Sequence, residues 1–503
     1  MLLPALAACL FWGHTINQPL IDQYAFRQTQ TAITALFMQP GLDGFINYQT
    51  PSIGSPWAIP FELPLFQWLA HGLDRLLPLN LSACGRLLSA GFGIACLGPS
   101  LGLLDRYGTK AAGKVCFSFI YFSSAIYLYW NRSFMIESTA LFFTLSSLYL
   151  YSLVRSPESS RPQPWRQPLL LTGFALSLSF SLLVKATTGL PILLLITIDL
   201  IWQLIRVFRK EGNDPRATFM RLLPIATAAL TALLLLKVWT SHADNLKALN
   251  PIGSKLTSAA LNQWNYGSLA QRFSGDLWND VLLQRMLTPL GAIPAALLLF
   301  TSLLHSRNPQ QKGFIVACLC LAALPLVIFT NLHIVHSYYQ SSNEIFLILA
   351  LSASFDGFIQ AFTPRWHKMA AIVAITLFAL GNYQEFKSNY LASTQEQSSV
   401  RLEIGQLIQR RTPADSAILI FGDDWSSELA YHSQRRSLTR PDWPIPDVNQ
   451  TTILRQPSRF LGGQKLGAVI SKNAIANPGS LNQSCSPDET LIFDKWTVYL
   501  CKS

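Results

Sequence analysis

A chain of 503 residues that is half hydrophobic and only 13% charged falls well below the ~25% charged content of soluble domains. Apolar runs of about 20 residues recur along it, which marks a multi-pass membrane protein. The formal net charge of +11 does not indicate a nucleic-acid binder, because the positive residues sit in short loops between apolar runs rather than on one soluble face.

Taken in order, about eleven spans are expected, near 1–20, 85–104, 113–130, 134–153, 168–184, 188–206, 220–240, 287–304, 313–330, 343–362 and 367–383. The first lacks a basic leading region and a clear cleavage site, so it reads as an anchor rather than a signal peptide. The loops near 104–114, 154–167, 206–221, 305–312 and 363–368 hold 15 Lys/Arg in about 55 residues, and the opposite set holds 10 in about 148. The first set is therefore expected on the cytoplasmic side. That places residues 14–84, the loop 237–286 and everything after 383 outside, which in a bacterial inner membrane is the periplasm. In the first outer loop, Leu65, Trp68, Leu69, Leu73 and Leu76 recur at helical spacing, as in a helix lying along the membrane surface. Residues 1–386 are read as the membrane domain.

The remainder, 387–503, is different in kind, with 13 Lys/Arg against 11 Asp/Glu. A helical pattern covers 397–411. Strands are expected at Ala417–Gly422, Leu466–Ile470, Leu491–Phe493 and Trp496–Leu500, giving a small α/β domain. Six of the eight cysteines lie in or beside apolar stretches and read as packing residues. Cys485 and Cys501 would pair if the tail is exported. Asp423-Asp424 beside Trp425 has two readings, a metal ligand pair and a solvated turn, and the turn is favoured.

The polar residues collect at the outer ends of spans. Asp22 and Arg27 appear together after 21 residues that hold no formal charge, and charges at a membrane boundary are costly unless used. Asn131, Arg132 and Glu137 flank the turn between the third and fourth spans, and Lys185 ends the fifth. His333, His336, Tyr338, Tyr339 and Glu344 bracket the turn before the tenth. A transporter would place such groups near the bilayer midplane in repeated halves, and neither feature is visible. Turns converging above the outer leaflet suit a lipid-linked sugar phosphate instead. Arg27, Arg132 and Lys185 would neutralise its phosphate, and a carboxylate would take the proton of an incoming hydroxyl. Tyr24, Gln28, His336 and Tyr339 would shape the donor pocket, with Tyr48, Glu62, Glu137 and His333 beside it. Lys185 could instead snorkel to the interface, Arg132 and Glu137 could pair with each other, and the two histidines could be hydrogen-bonded interface residues. No residue set demands a cofactor; a divalent metal ion is the one such group left open.

On the run Phe26-Arg27-Gln28-Thr29-Gln30-Thr31-Ala32, the segment Glu62-Leu63-Pro64-Leu65-Phe66-Gln67-Trp68-Leu69, Arg132-Ser133-Phe134-Met135-Ile136-Glu137, Lys185 and His336-Ser337-Tyr338-Tyr339, the chain resembles the GT-C superfamily of polyprenyl-phosphate-dependent glycosyltransferases. The likeness is to the bacterial branch related to protein O-mannosyltransferases and lipid A aminoarabinose transferases. It implies a GT-C-like bundle of about eleven helices and a polyprenyl-phosphate-linked sugar donor. It also implies a glycan, lipid or protein acceptor, inversion at the sugar carbon, and Asp22 as general base. Phe61-Glu62-Leu63 stands where lipid A transferases often carry a lysine. A transporter or flippase of lipid-linked saccharide is the alternative.

Overall fold

The computed structural model describes residues 2–155, 165–209, 214–305, 308–361 and 364–502. Parts of the basic loops counted above, 156–164, 210–213, 306–307 and 362–363, lie outside the described residues.

The chain opens with α1 (Leu2–His14), then forms α2 (Ala25–Leu36), α3 (Gly41–Ile46) and α4 (Leu65–Leu76) in the first long loop. The bundle continues with α5 (Leu81–Ala95), α6 (Leu97–Arg106), α7 (Ala111–Ser123), α8 (Ala125–Trp130), α9 (Glu137–Val154), α10 (Arg166–Val184), α11 (Ala186–Phe208) and α12 (Pro215–Ala248). Two short helices, α13 (Asn262–Tyr266) and α14 (Leu269–Arg272), and a π-helix at Asp276–Leu287 lead into α15 (Ala292–His305). Then come α16 (Pro309–Ile328), α17 (Thr330–Val335), a 3-10 turn at Ser337–Ser342, α18 (Glu344–Ala361) and α19 (Pro364–Asn389).

Among the described residues, six helices are long and apolar enough to cross a membrane, or seven if the bent pair Asp276–Leu287 and Ala292–Leu304 counts as one. This is fewer than the eleven expected. α1 has 13 residues, about 20 Å at 1.5 Å per residue, against a hydrocarbon core of about 30 Å. The stretch read as the third span breaks between α7 and α8 at Ser124. The long helices turn apolar side chains outward, among them Ile198, Ile201, Leu230, Leu234, Ile372 and Leu377, as helices facing lipid do. In α4, Phe66 and Ala70 face the protein while Trp68 and Leu76 are exposed.

The tail forms α20 (Val400–Arg411), β1 (Ala417–Phe421), α21 (Glu428–Ser433) and β2 (Arg436–Thr439). After two short helices, α22 (Gln450–Arg455) and α23 (Pro457–Phe460), come β3 (Leu466–Ser471), α24 (Pro478–Ser484), β4 (Pro487–Phe493) and β5 (Trp496–Cys501). The sheet order is β2-β1-β3-β5-β4, with β1 parallel to β2 and β3, and β5 antiparallel to its neighbours. Cys485 and Cys501 are joined by a disulfide. The boundary drawn at 387 falls inside α19, and the tail does not close its core alone. The first outer loop lies along the free edge of β2: the Ser437 N–H donates to the Pro51 carbonyl at 2.9 Å, and the Gly54 N–H to the Ser437 carbonyl at 2.9 Å. Ile53 and Ile59 from that loop, with Ile252 and Leu256, share one core with Leu419, Leu438 and Val469.

Candidate functional site

The segment between α1 and α2 places Asp22 beneath the surface, 3% exposed. Its Oδ1 accepts from Gln28 Nε2 at 2.6 Å. Its Oδ2 accepts from Arg132 Nη2 at 2.7 Å and Arg86 Nη2 at 3.3 Å. Both guanidiniums are 1% exposed. Arg86, on α5, also donates to the backbone carbonyls of Arg132 and Pro19. Gln28 Oε1 accepts from the Phe134 N–H at 2.9 Å, and the Arg132 guanidinium lies 4.8 Å over the Tyr129 ring. A single carboxylate thus ties the turn before α2 to α5 and to the turn before α9. Arg86 Nε and Arg132 Nε and Nη1 are buried without a hydrogen-bond partner, so the network rests on the Asp22 carboxylate.

A second group forms on the other side of the first turn of α2. Arg27 Nη2 lies 3.3 Å from both oxygens of Glu62, and its Nη1 donates to Gln30 Oε1 at 2.6 Å. Gln67 Nε2 donates to Glu62 Oε1 at 2.9 Å. Lys185 caps α11, where the chain turns out of α10, and its Nζ meets Glu137 Oε1 at 2.6 Å. The same ammonium lies 4.1 Å over the Tyr339 ring and 5.2 Å over that of Tyr338, a geometry in which a cation is attracted to the ring face. Tyr24 adopts a left-handed backbone, φ 54°, as it caps α2. Its ring packs against those of His336 and Tyr338, and its hydroxyl accepts from the Ser337 N–H at 3.0 Å. Burial, with Lys185 and Arg27 nearby, lowers the His336 pKa to about 4. That imidazole is neutral at pH 7. Arg27, Glu62, Tyr24, His336 and Tyr339 are only half-buried, so this group reaches the surface.

Five separate stretches therefore meet, in two groups. Asp22, Gln28 and Arg132 form a buried ionic hub. Arg27, Glu62, Glu137, Lys185, Tyr24, His336 and Tyr339 form an aromatic-walled cluster beside it. Arg132 and Glu137 do not pair with each other; each bonds a partner from a distant segment. Tyr48 stands apart: its hydroxyl donates to the Glu62 carbonyl at 2.9 Å and accepts from the Phe61 N–H at 2.7 Å, so it shapes the Glu62 loop. His333 is buried, its backbone carbonyl accepting from Gln340 Nε2 at 3.0 Å, and burial first, then Lys185 and Arg285, lowers its pKa to about 3. Among the described residues no group of three or more His, Cys, Asp or Glu could hold a metal. Asp423 is taken up by Arg401 at 2.5 Å. Sequence reasoning passed over Arg86, whose signal was a lone arginine at the mouth of an apolar helix. It also passed over the tail's part in the site: Trp425 packs on Phe26 and Phe61, and Ser427 Oγ donates to the Phe26 carbonyl at 3.2 Å.

Residues 79–244 match the family model described as dolichyl-phosphate-mannose-protein mannosyltransferase. Among curated proteins no sequence matches. Among solved structures, ArnT from Cupriavidus metallidurans bound to undecaprenyl phosphate is similar with TM-score 0.62 at 13% identity, covering 99% of this chain and 97% of that one. An oligosaccharyltransferase from Archaeoglobus fulgidus is similar with TM-score 0.55 at 11% identity, over 93% of this chain and 69% of that one. The arabinofuranosyltransferase AftD from Mycobacteria gives TM-score 0.53 at 15% identity, over 99% of this chain and 40% of that one. The fold is that of these glycosyltransferases, and the family model over residues 79–244 agrees with the GT-C resemblance.

Proposed function

We propose that this chain, whose fold is that of the GT-C glycosyltransferases, moves a sugar from a polyprenyl-phosphate-linked donor to an acceptor at the outer, periplasmic face of a bacterial inner membrane. The observation that carries this reading is the pair of cations, half-buried Arg27 and buried Lys185, each held by a carboxylate, with Lys185 over the rings of Tyr338 and Tyr339. A phosphate monoester leaving group needs cations at that depth. In the transfer, the acceptor oxygen forms a bond to the anomeric carbon while the bond from that carbon to the phosphate oxygen breaks. The phosphate keeps the bonding electrons and the acceptor proton passes to a carboxylate. The charges of Arg27 and Lys185 stabilise the departing phosphate. Arg132, paired with Asp22 at 2.7 Å, keeps the loop in place. The disulfide in the tail supports an oxidising compartment.

Two carboxylates fit the role of base. Asp22 pairs through one oxygen with Arg86 and Arg132 and accepts from Gln28 Nε2 at the other. Glu137 has the specific merit that its Oε2 makes no hydrogen bond. The test is transfer from a synthetic polyprenyl-phosphate sugar by purified protein, with mass spectrometry of envelope glycans from a deletion strain to identify sugar and acceptor. Asp22→Asn is expected to lower turnover by about 10²–10⁴-fold, the usual size of a general-base contribution, in protein that elutes as wild type. Unchanged turnover in folded Asp22→Asn, with loss in Glu137→Gln, assigns the base to Glu137. Full activity in Arg27→Gln and Lys185→Met overturns the site.

A further inference from the structure

At the far end of the same helices lies a second site. α9 carries Glu137 of the candidate site at its start and ends at Val154, about 27 Å away at 1.5 Å per residue, close to the thickness of a bilayer's hydrocarbon core. There a cavity of about 860 Å³ opens between the ends of α6, α9 and α11 and the beginnings of α12 and α16. Its lining includes four arginines, Arg106, Arg155, Arg206 and Arg221, and one carboxylate, Asp199. Asp199 is already engaged: Arg155 Nη2 donates to it at 2.8 Å, Gln203 Nε2 at 2.7 Å, and the Tyr151 hydroxyl also donates to it. Arg221 reaches Gln203 Oε1 at 3.3 Å, while its buried Nε has no hydrogen-bond partner. The deeper wall is apolar, formed by Leu103, Leu148, Leu195, Phe314 and Leu321.

Basic residues at helix C-termini are commonplace, since they offset the helix dipole and snorkel to the interface. Those roles call for side chains spread around the rim. Here they converge from four helices onto one concavity whose lining carboxylate, Asp199, is already shared by Arg155, Gln203 and Tyr151, and a further anion there would offset the gathered positive charge at the edge of a low-dielectric slab. A cavity of this volume is the size that takes a small ligand, and its polarity is graded: guanidiniums at the mouth, hydrocarbon in the depth. That gradient matches an anionic lipid, with its phosphate at the headgroup plane and a chain pointing inward.

We propose that this cavity binds the phosphate headgroup of an anionic membrane lipid on the membrane face opposite the candidate catalytic site. The chemistry recognised is a phosphate; the apolar depth selects the lipid over the free ion. Purified full-length protein is exchanged into mixed micelles of phosphatidylglycerol and phosphatidylcholine, and retained lipid is counted by native mass spectrometry, with inorganic phosphate as a separate competitor. Wild type is expected to keep the anionic lipid at least fivefold over the zwitterionic one, with millimolar phosphate displacing little. Arg221→Gln and, independently, Gln203→Glu at the mouth are expected to bring the ratio towards one in protein that elutes as wild type. Equal retention of the two lipids by wild type, a readout that needs no variant to fold, overturns the proposal. Displacement by phosphate without a lipid preference overturns the lipid assignment in favour of the free anion. None of these readouts depends on glycosyl transfer, so the proposal stands or falls separately from the function above.

Discussion

Asp22 serves two guanidiniums and an amide at once, and the consequences are unequal for its partners. Replacing Asp22 by Asn leaves Arg86 and Arg132 buried with no negative charge, and breaking a buried pair in this way costs about 3–5 kcal/mol. Replacing Arg86 by Met leaves Asp22 still bound to Arg132 and Gln28. What is lost is the longer of the two ion pairs to Asp22, at 3.3 Å, and the bonds to the Arg132 and Pro19 carbonyls, about 1–3 kcal/mol for acceptors left unsatisfied. Thermal unfolding in detergent is therefore expected to rank Asp22→Asn below Arg86→Met and both below wild type. The reverse order would show that Arg86, not the carboxylate, holds the three segments together. At this scale the sequence made single residues conspicuous without giving their partners. Asp22 and Arg27 stood out because nothing charged precedes them. Arg86 did not, because one arginine at the mouth of an apolar helix looks like an interface residue. The pairings of Arg132 with Asp22 and of Lys185 with Glu137 join positions more than forty residues apart, and no local spacing encodes them.

The first outer loop and the tail act as one element although more than 350 residues separate them. The loop supplies an extra antiparallel partner for β2, and α21 sits on α2 through the Ser427 contact and Trp425. Since α2 presents Gln28 to one group and Arg27 to the other, the tail braces both. Trp425→Ala removes the aromatic packing on Phe26 and Phe61 without touching a charged residue of the site. Aromatic pairs add about 0.5–1.5 kcal/mol each beyond area burial. The variant is expected to remain folded, to be cut faster by protease within residues 40–60, and to lose several-fold in transfer rate. An unchanged cleavage pattern would show that the tail does not brace the loop. Helix 397–411 and the strands near 417, 466, 491 and 496 were legible because their apolar runs are continuous or alternate. β2 was missed because Arg436-Ser437-Leu438-Thr439 has one apolar side chain. Its partner Pro51-Ser52-Ile53-Gly54 reads as a turn, and strand character there is conferred by the neighbour rather than by propensity. Among the described residues, the expected spans 1–20 and 113–130 fall short of a full crossing because hydropathy does not register the shortness of α1 or the break at Ser124.

For the molecule as a whole, the junction between membrane bundle and tail carries a titratable group. His432 on α21 is buried, and its ring meets the backbone of Leu20, just before Asp22. Burial lowers its pKa from 6.5 to about 4, against the opposing pull of that backbone bond. Between about pH 6.5 and 4 the unfolded or undocked chain therefore binds a proton that the native junction does not. Stability tied to His432 is complete above pH 6.5 and declines as pH falls towards 4, by up to about 3 kcal/mol. His333 is lowered in the same direction by its own burial, so it adds to the slope. Because His432 lies between tail and bundle, the acid-sensitive step is expected to be undocking of the tail, ahead of unfolding of the bundle. Removing the titration with His432→Gln should flatten the pH dependence of protease protection in the 40–60 loop between pH 6.5 and 4.5. It should leave the residual slope from His333 in the global unfolding temperature. A variant that keeps the wild-type slope in both measurements would place the acid response elsewhere. Equal flattening of both would mean that tail and bundle unfold as one cooperative unit rather than in sequence.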